Sequence, residues 1–238
     1  MNLPITPIID LCNSIICAYC SYRLFRSYHR DRQAPVLLYF AQGYASLIIA
    51  YLMFSIPRIA VPEESFVLGV SFIISQSFLY LAIAFFAKVG TFFINVQMVQ
   101  RAFWSVVILS TIVVLFSIVY FSYPIHDLET GITDWNIHPF VGIGSFVIFA
   151  GVLLPSAVLF FRQGLRSQER IVKIRSTVIA GGLILLIITA FTYYTATSEI
   201  VALTSDLLSL LSFLIIFFGV IYKRGSNPPP PDQIVMNS

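Results

Sequence analysis

Long apolar runs alternate with short polar segments along the whole chain. Seven of these runs are close to the roughly 20 residues that a helix needs to cross the hydrocarbon core of a bilayer. They cover residues 4–24, 35–57, 65–87, 102–123, 139–161, 176–197 and 200–222. Because backbone groups in lipid must form their hydrogen bonds internally, a continuous apolar run of this length indicates a helix. The pattern therefore predicts an all-α bundle of seven transmembrane helices.

Composition agrees with a chain whose main solvent is lipid. Of the 238 residues, 58% are hydrophobic and 11% are charged, whereas soluble domains carry about 25% charged residues. A water-soluble chain of this length could not bury so many apolar side chains. We expect residues 1–224 to form one transmembrane domain in contact with the lipid bilayer. Residues 225–238, which begin with a proline-rich stretch, are expected to form a disordered cytoplasmic tail.

Positive charge is distributed unevenly between the loops. Thirteen of the fourteen lysines and arginines flank the first, third and fifth loops or follow the last helix, and Arg58 is the exception. Since short cytoplasmic loops carry an excess of Lys and Arg, the N-terminus is predicted to lie outside and the C-terminus inside the cytoplasm. The same bias predicts a multi-pass protein of the cell membrane. It also accounts for the pI near 8.8, which is no indication of nucleic acid binding.

Several kinds of chemistry are excluded by what the runs lack. The lysines and histidines all lie at helix boundaries or in loops: Lys88, Lys173, Lys223, His29, His126 and His138. A retinal Schiff base or paired haem ligation inside the bilayer is therefore not expected. The sequence also lacks a phosphate-binding glycine loop, HExxH and GxSxG. We expect no enzyme activity and no cofactor.

Helix one carries a polar face. Asp10, Asn13, Cys17 and Cys20 recur at a spacing that places them on one side of the helix, and polar groups avoid lipid, so this side should face the bundle. The two cysteines form a CxxC pair, but a thiol in lipid is a poor nucleophile, and small core residues are the simpler interpretation. Helix seven carries Asp206, and an acid within a membrane helix costs about 2.5–3.5 kcal/mol on insertion scales.

The loop from residue 124 to residue 139 is acidic and contains two histidines. Its candidate metal ligands are His126, Asp127, Glu129, Asp134 and His138. Their spacing matches no ligand motif, and outer loops are commonly acidic. We therefore predict that this loop holds no tightly bound metal.

Asp10 and Asp206 are both expected near the outer ends of their helices, with Asp10 roughly 9 Å from the start of helix one at 1.5 Å per residue. In a closed ring of seven helices the first and last are neighbours. Two nearby carboxylates in a poor dielectric should not both ionise, so one takes up a proton or a cation binds between them. We predict a proton- or cation-sensitive site built on Asp10, Asn13, Tyr193 and Asp206. The alternative is that each acid sits separately among headgroups and water.

The seven helices with an outer N-terminus and basic inner loops resemble the membrane sensor modules found ahead of bacterial and archaeal histidine kinases. The similar segments are the basic loop 23–32 and the following helix 37–53, with Gly43 and Tyr44. The resemblance implies a noncatalytic sensor or accessory subunit that binds a ligand or a partner protein within the membrane. Because no output domain follows in this sequence, we expect the signal to pass to a separate membrane or cytoplasmic partner.

A small transporter is the alternative function. Helices 1–3 and 5–7 share one orientation, so the layout is similar to that of sugar carriers built as three-plus-one-plus-three helices. Such a carrier would use the polar site as an outward-facing substrate site. The chain lacks the Pro-Gln loop motif typical of that group.

Overall fold

The computed structural model describes residues 5–127, 133–195 and 199–222. In this part of the chain seven helices are long and apolar enough to cross a membrane. They are α1 (Ile5–Arg30), α2 (Pro35–Ala60), α3 (Ser65–Phe92), α4 (Val99–Val119), α5 (Pro139–Arg166), α6 (Arg170–Thr195) and α7 (Glu199–Ile221). The prediction of an all-α seven-helix bundle is confirmed, and the chain is a multi-pass membrane protein. The predicted tail, residues 225–238, lies outside the described residues.

Several helices are longer than the apolar runs that predicted them. Helix α1 continues to Arg30 rather than ending at residue 24, α5 continues to Arg166, and α6 begins at Arg170. Lysine and arginine are good helix formers, and their long side chains can carry the charge into the headgroup region while the backbone stays helical. Hydropathy therefore marks the thickness of the lipid core and not the end of the helix.

Six of the helices form a ring, and α4 packs outside it. The neighbours around the ring are α1, α2, α3, α5, α6 and α7, and α1 closes it by contacting α7. The fourth helix lies against α3 and α5. It buries a single stripe of residues, while Trp104, Ile108 and Leu109 are more than half exposed. The contact between the first and last helices was predicted, but the ring of seven was wrong because α4 has only one narrow packing face.

The two ends of the bundle differ in charge. The basic end, where α1, α3 and α5 finish, carries the arginines and lysines of the described loops. The acidic end is the opposite one and carries Glu63, Glu64 and Asp134. At the acidic end two short antiparallel strands, β1 (Ile125–His126) and β2 (Thr133–Asp134), pair with each other. These strands were not predicted, because two residues are too few to show an alternating pattern.

Candidate functional site

A cavity of about 530 Å³ lies inside the ring near the acidic end. It is lined by all six ring helices and by residues 133–137, with no contribution from α4. The lining includes Asp134 and Asn136, which are exposed at the acidic end, so the cavity reaches the surface there. Its size is within the range of about 300–1,000 Å³ typical of sites for small molecules.

A buried ion pair stands at the acidic end of this cavity. The guanidinium of Arg58, in the last turn of α2, donates through Nη2 to the Asp10 carboxylate of α1, and both side chains are about 5% exposed. Its other nitrogens are also occupied: Nε donates to the Phe54 carbonyl at 2.6 Å and Nη1 to the Thr6 hydroxyl at 3.3 Å. A charge that leaves water needs such pairing. Each guanidinium nitrogen of Arg58 thus donates at least one hydrogen bond within the protein.

Asp206 on α7 lines the same cavity. In the part of the chain that the structure describes, its carboxylate has no hydrogen-bond or ion-pair partner, although Asp10 and Arg58 are near neighbours. The cavity wall therefore combines one satisfied ion pair with one carboxylate that is left over. In its ionised form, this carboxylate favours a positive ligand.

The four residues predicted to form the polar site lie near one another, although they do not all touch the cavity. Asp10, Tyr193 and Asp206 line it. Asn13 lies one helical turn along α1 from Asp10, and its amide donates to the Ser209 hydroxyl at 3.3 Å. Ser209 itself lines the cavity, so Asn13 contacts the lining and does not form part of it. This hydrogen bond also joins α1 to α7.

Three buried polar atoms at or beside the cavity have no hydrogen-bond partner among the described residues. They are the hydroxyl of Tyr193 and the side-chain carbonyl oxygens of Asn13 and Gln76. The Gln76 amide nitrogen donates to the Ser145 hydroxyl at 3.0 Å and to the Tyr194 hydroxyl at 3.1 Å, which links α3, α5 and α6. Buried polar groups are normally satisfied, and the Tyr193 hydroxyl is therefore free to bond a ligand.

Aromatic rings form one wall of the cavity. Trp135 packs edge-on against Phe54 with ring centres 5.5 Å apart, Phe54 contacts Tyr193 at 6.3 Å, and Tyr193 contacts Tyr194 at 5.4 Å. The Arg58 guanidinium lies 5.4 Å from the centre of the Trp135 ring. Ring faces attract cations in this geometry. The face of the Trp135 ring is already occupied by the Arg58 guanidinium.

The inner end of the cavity is closed by packed aromatic side chains. Phe213 and Phe86 line the cavity there, and Tyr44 packs edge-on against both, at 6.0 Å and 6.3 Å between ring centres. The Tyr44 hydroxyl donates to the Phe213 carbonyl at 2.7 Å. Tyr44 and Phe213 are at most 2% exposed. The cavity is thus sealed from the basic end.

The polar face of helix one is buried, as its spacing predicts. Asp10 and Asn13 are 4% and 1% exposed, and Cys17 and Cys20 continue the same face at 1% and 0%. Both thiols belong to the hydrophobic core. Their placement agrees with the interpretation that they are small core residues.

Sequence reasoning missed Arg58 and Trp135 as cavity residues. Arg58 was assigned to an outer loop, although its position as the one cation among acidic outer segments was a usable signal. Gln76, whose amide donates to the Tyr194 hydroxyl, could also have been found from the sequence, because it is an isolated amide in an apolar run. Trp135 gave no such signal, because a tryptophan at a membrane interface is ordinary.

The histidines and acids of the loop 124–139 are only partly described. Asp134 accepts a hydrogen bond from the Asn136 backbone at 2.9 Å, and His138 accepts one from the Phe140 backbone at 3.4 Å, at the start of α5. The His138 ring also stacks on Tyr120 at 4.4 Å. Glu129 lies outside the described residues, so the absence of a tight metal stays a prediction.

The fold and the cavity together define a multi-pass seven-helix membrane protein with a ligand-sized cavity inside a six-helix ring. No protein-family model, curated protein or solved structure matches the chain. The geometry of the cavity is therefore the basis of the function proposed below.

Proposed function

We propose that this chain is a noncatalytic sensor or accessory subunit of the cell membrane that binds a small ligand in the cavity at the acidic end. The observation that carries the proposal is the cavity itself, with a polar acidic mouth and an apolar inner end. Pockets that bind small molecules typically combine an apolar lining with a few polar groups that fix orientation. The absence of catalytic motifs in the sequence supports the noncatalytic part.

The orientation of the protein is part of this proposal. The acidic end faces the outside and the basic end faces the cytoplasm, because thirteen of the fourteen lysines and arginines flank the basic end and short cytoplasmic loops attract positive charge. A ligand would enter from outside through the mouth near Asp134. A partner would receive the signal through the membrane or at the basic end.

A small transporter is the second candidate. The packing supports it, since α1–α3 and α5–α7 form the ring and α4 lies outside as a connector, which is the layout of a three-plus-one-plus-three carrier. Transport requires the aromatic seal of Tyr44, Phe86 and Phe213 to open towards the basic end. The sensor needs no such opening, and for this reason it is preferred.

Filling the cavity tests whether it binds ligands. Ala50 lines the cavity and is 1% exposed, whereas Ala45 on the same helix does not line it. The full chain in nanodiscs would be heated with phenyltrimethylammonium, benzenesulfonate or benzyl alcohol. We expect at least one probe to raise the unfolding temperature of the wild type and of Ala45→Leu, but not of Ala50→Leu. At a probe concentration of 100 times its Kd, binding stabilises the folded protein by about 2.7 kcal/mol.

Two outcomes would contradict the proposal. The first is that no probe stabilises the wild type. The second is that the stabilisation survives in both Ala50→Leu and Ala190→Leu, which fill the cavity from α2 and α6. Protein-dependent flux of the bound probe across proteoliposome membranes would show that the chain is a transporter and not a sensor.

A further inference from the structure

We infer that the ligand of this cavity is an organic cation, with a positively charged head beside Asp206 and an apolar body directed towards Phe213. The inference rests on the proposed function and adds the chemical class of the ligand. Charge, ring geometry and the gradient of polarity along the cavity each support it.

The charge of the lining selects against anions. All three guanidinium nitrogens of Arg58 already donate hydrogen bonds, to Asp10, Phe54 and Thr6. An anion at Arg58 would compete with the buried Asp10 carboxylate for the guanidinium and would lie beside the negative charge of that carboxylate, which is unfavourable. Asp206 is in the opposite situation, because the described residues supply no partner for its carboxylate. A carboxylate away from water gains free energy when a cation pairs with it.

The aromatic wall lies next to this carboxylate. Tyr193 lines the cavity together with Asp206, and its buried hydroxyl has no hydrogen-bond partner among the described residues. Ring faces bind alkylammonium groups, and the Tyr193 hydroxyl is a further oxygen for the cationic head. The Arg58 side chain above Trp135 shows that this wall accepts a positive charge.

The depth of the cavity favours an organic cation over a metal ion. Asp206 and Phe213 lie seven residues apart on one face of α7, or about 10 Å along the axis. Between these levels the lining includes Leu47, Ile83 and Leu186, which offer an apolar body a dry surface. Hard metal ions such as Ca²⁺ need six or more oxygen ligands. Groups of three or more His, Cys, Asp or Glu side chains suited to a metal are absent from the described residues.

The test compares charge-matched probes and charge-neutralising variants. Phenyltrimethylammonium is a permanent cation with an apolar ring, benzenesulfonate is a permanent anion, and benzyl alcohol is neutral. Affinities would be measured by titration calorimetry on the full chain in nanodiscs at pH 7, with Asp206→Asn, Asp206→Glu and the control Glu63→Gln. Glu63 is exposed at the same end and does not line the cavity.

We expect the cation to bind the wild type more tightly than the other two probes. Asp206→Asn should weaken cation binding about tenfold to a hundredfold, since an interaction with a charged partner is worth that much. Asp206→Glu should retain more of the affinity than Asp206→Asn because the charge is kept. Glu63→Gln should change the affinity less than about twofold, because exposed charges are screened.

Several results would overturn the inference while leaving the proposed function intact. One is tighter binding of benzenesulfonate or benzyl alcohol that Ala50→Leu abolishes. Another is cation binding that Asp206→Asn leaves unchanged. A third is stabilisation by Na⁺ alone that Asp206→Asn removes, which would assign the site to an inorganic ion. If Asp206→Asn does not fold, the wild-type affinities for the three probes decide whether the inference holds, and the cation must bind most tightly. Failure of all probes to bind would instead overturn the proposed function.

Discussion

The Asp10–Arg58 pair connects α1 to α2 at the acidic end, and each partner stabilises the other. Both side chains are almost completely buried, and Arg58 also bonds to Thr6 of α1 and to its own helix at Phe54. Removing one member of a buried pair leaves an uncompensated charge, whereas removing both avoids that penalty. The pair is therefore a strong determinant of local structure.

We predict that Asp10→Asn and Arg58→Gln each lower the free energy of unfolding by about 3–5 kcal/mol, and that the double variant loses clearly less than the sum. The measurement is reversible unfolding of the full chain in detergent. Arg101→Gln and Glu64→Gln, both exposed, are controls that should change stability by less than about 0.5 kcal/mol. Strict additivity of the two buried substitutions would show that the pair is not coupled.

Asp10 and Arg58 differ in how far the sequence reveals their roles. The spacing of Asp10, Asn13, Cys17 and Cys20 is enough to place Asp10 on a buried face, because a helix repeats every 3.6 residues. The partner of Asp10 is 48 residues away. Such a contact depends on how two helices pack, and the periodicity of neither helix contains that information.

At the scale of elements, α6 and α7 approach closely at two glycines. A Cβ atom on Gly182 would lie 2.6 Å from Ile216 Cγ1 and 3.1 Å from the Ile216 backbone nitrogen, and one on Gly219 would lie 2.7 Å from Ile179 Cγ1. Small residues allow such close packing in membranes. The neighbouring Gly181 is different, because a Cβ on it would meet nothing within 4 Å.

This difference gives a matched pair of substitutions. Gly182→Ala should destabilise the protein by about 1–3 kcal/mol, because the new methyl group forces two backbones apart. Gly181→Ala should be neutral or stabilising by up to about 1 kcal/mol, since alanine is the better helix former and the site is open. Unfolding of both variants in detergent would check this. Equal effects of the two substitutions would mean that α6 and α7 do not approach as the structure shows.

The position of α4 is also decided at this scale. Its sequence is at least as apolar as that of the other helices, yet it buries a smaller share of its residues. Hydropathy responds to the transfer of residues into lipid and is the same whether a side chain faces lipid or another helix. The exclusion of α4 from the ring therefore could not be predicted from its composition.

The whole molecule is polarised between an acidic end that holds the cavity and a basic end that is closed. The cavity, the ion pair and the described acidic loop residues share one end, and the aromatic seal separates them from the other. This arrangement allows ligand and partner to act on opposite sides of the membrane. The proposed orientation decides which side is which.

Labelling of single cysteines in intact cells would test the orientation. In a chain with Cys12, Cys17 and Cys20 replaced by alanine, Glu64→Cys at the acidic end should react with a membrane-impermeant maleimide. Gln168→Cys at the basic end should react only after permeabilisation. Both positions are exposed loop residues, so they form a matched pair. The opposite pattern of reaction would show that the orientation is reversed. Thirteen cations would then face outwards, against the usual bias.

The sequence by itself determined the class of protein, the number of helices and the polar face of helix one. These properties follow from local patterns: the length of apolar runs reflects the thickness of the bilayer, and helical periodicity sets which residues share a face. It also singled out Asp10, Tyr193 and Asp206, because ionisable or polar side chains stand out against an apolar background.

Only the tertiary structure decided that these three residues line one cavity, that Arg58 neutralises Asp10 and not Asp206, and that α4 stands outside the ring. Each of these depends on contacts between residues far apart in the chain. In lipid, close packing and a few interhelical hydrogen bonds select the neighbours of each helix, while hydrophobicity is nearly indifferent to that choice. The Asp206 carboxylate, which the described residues leave unpaired and on which the proposed cation site depends, is therefore a property of the assembled bundle.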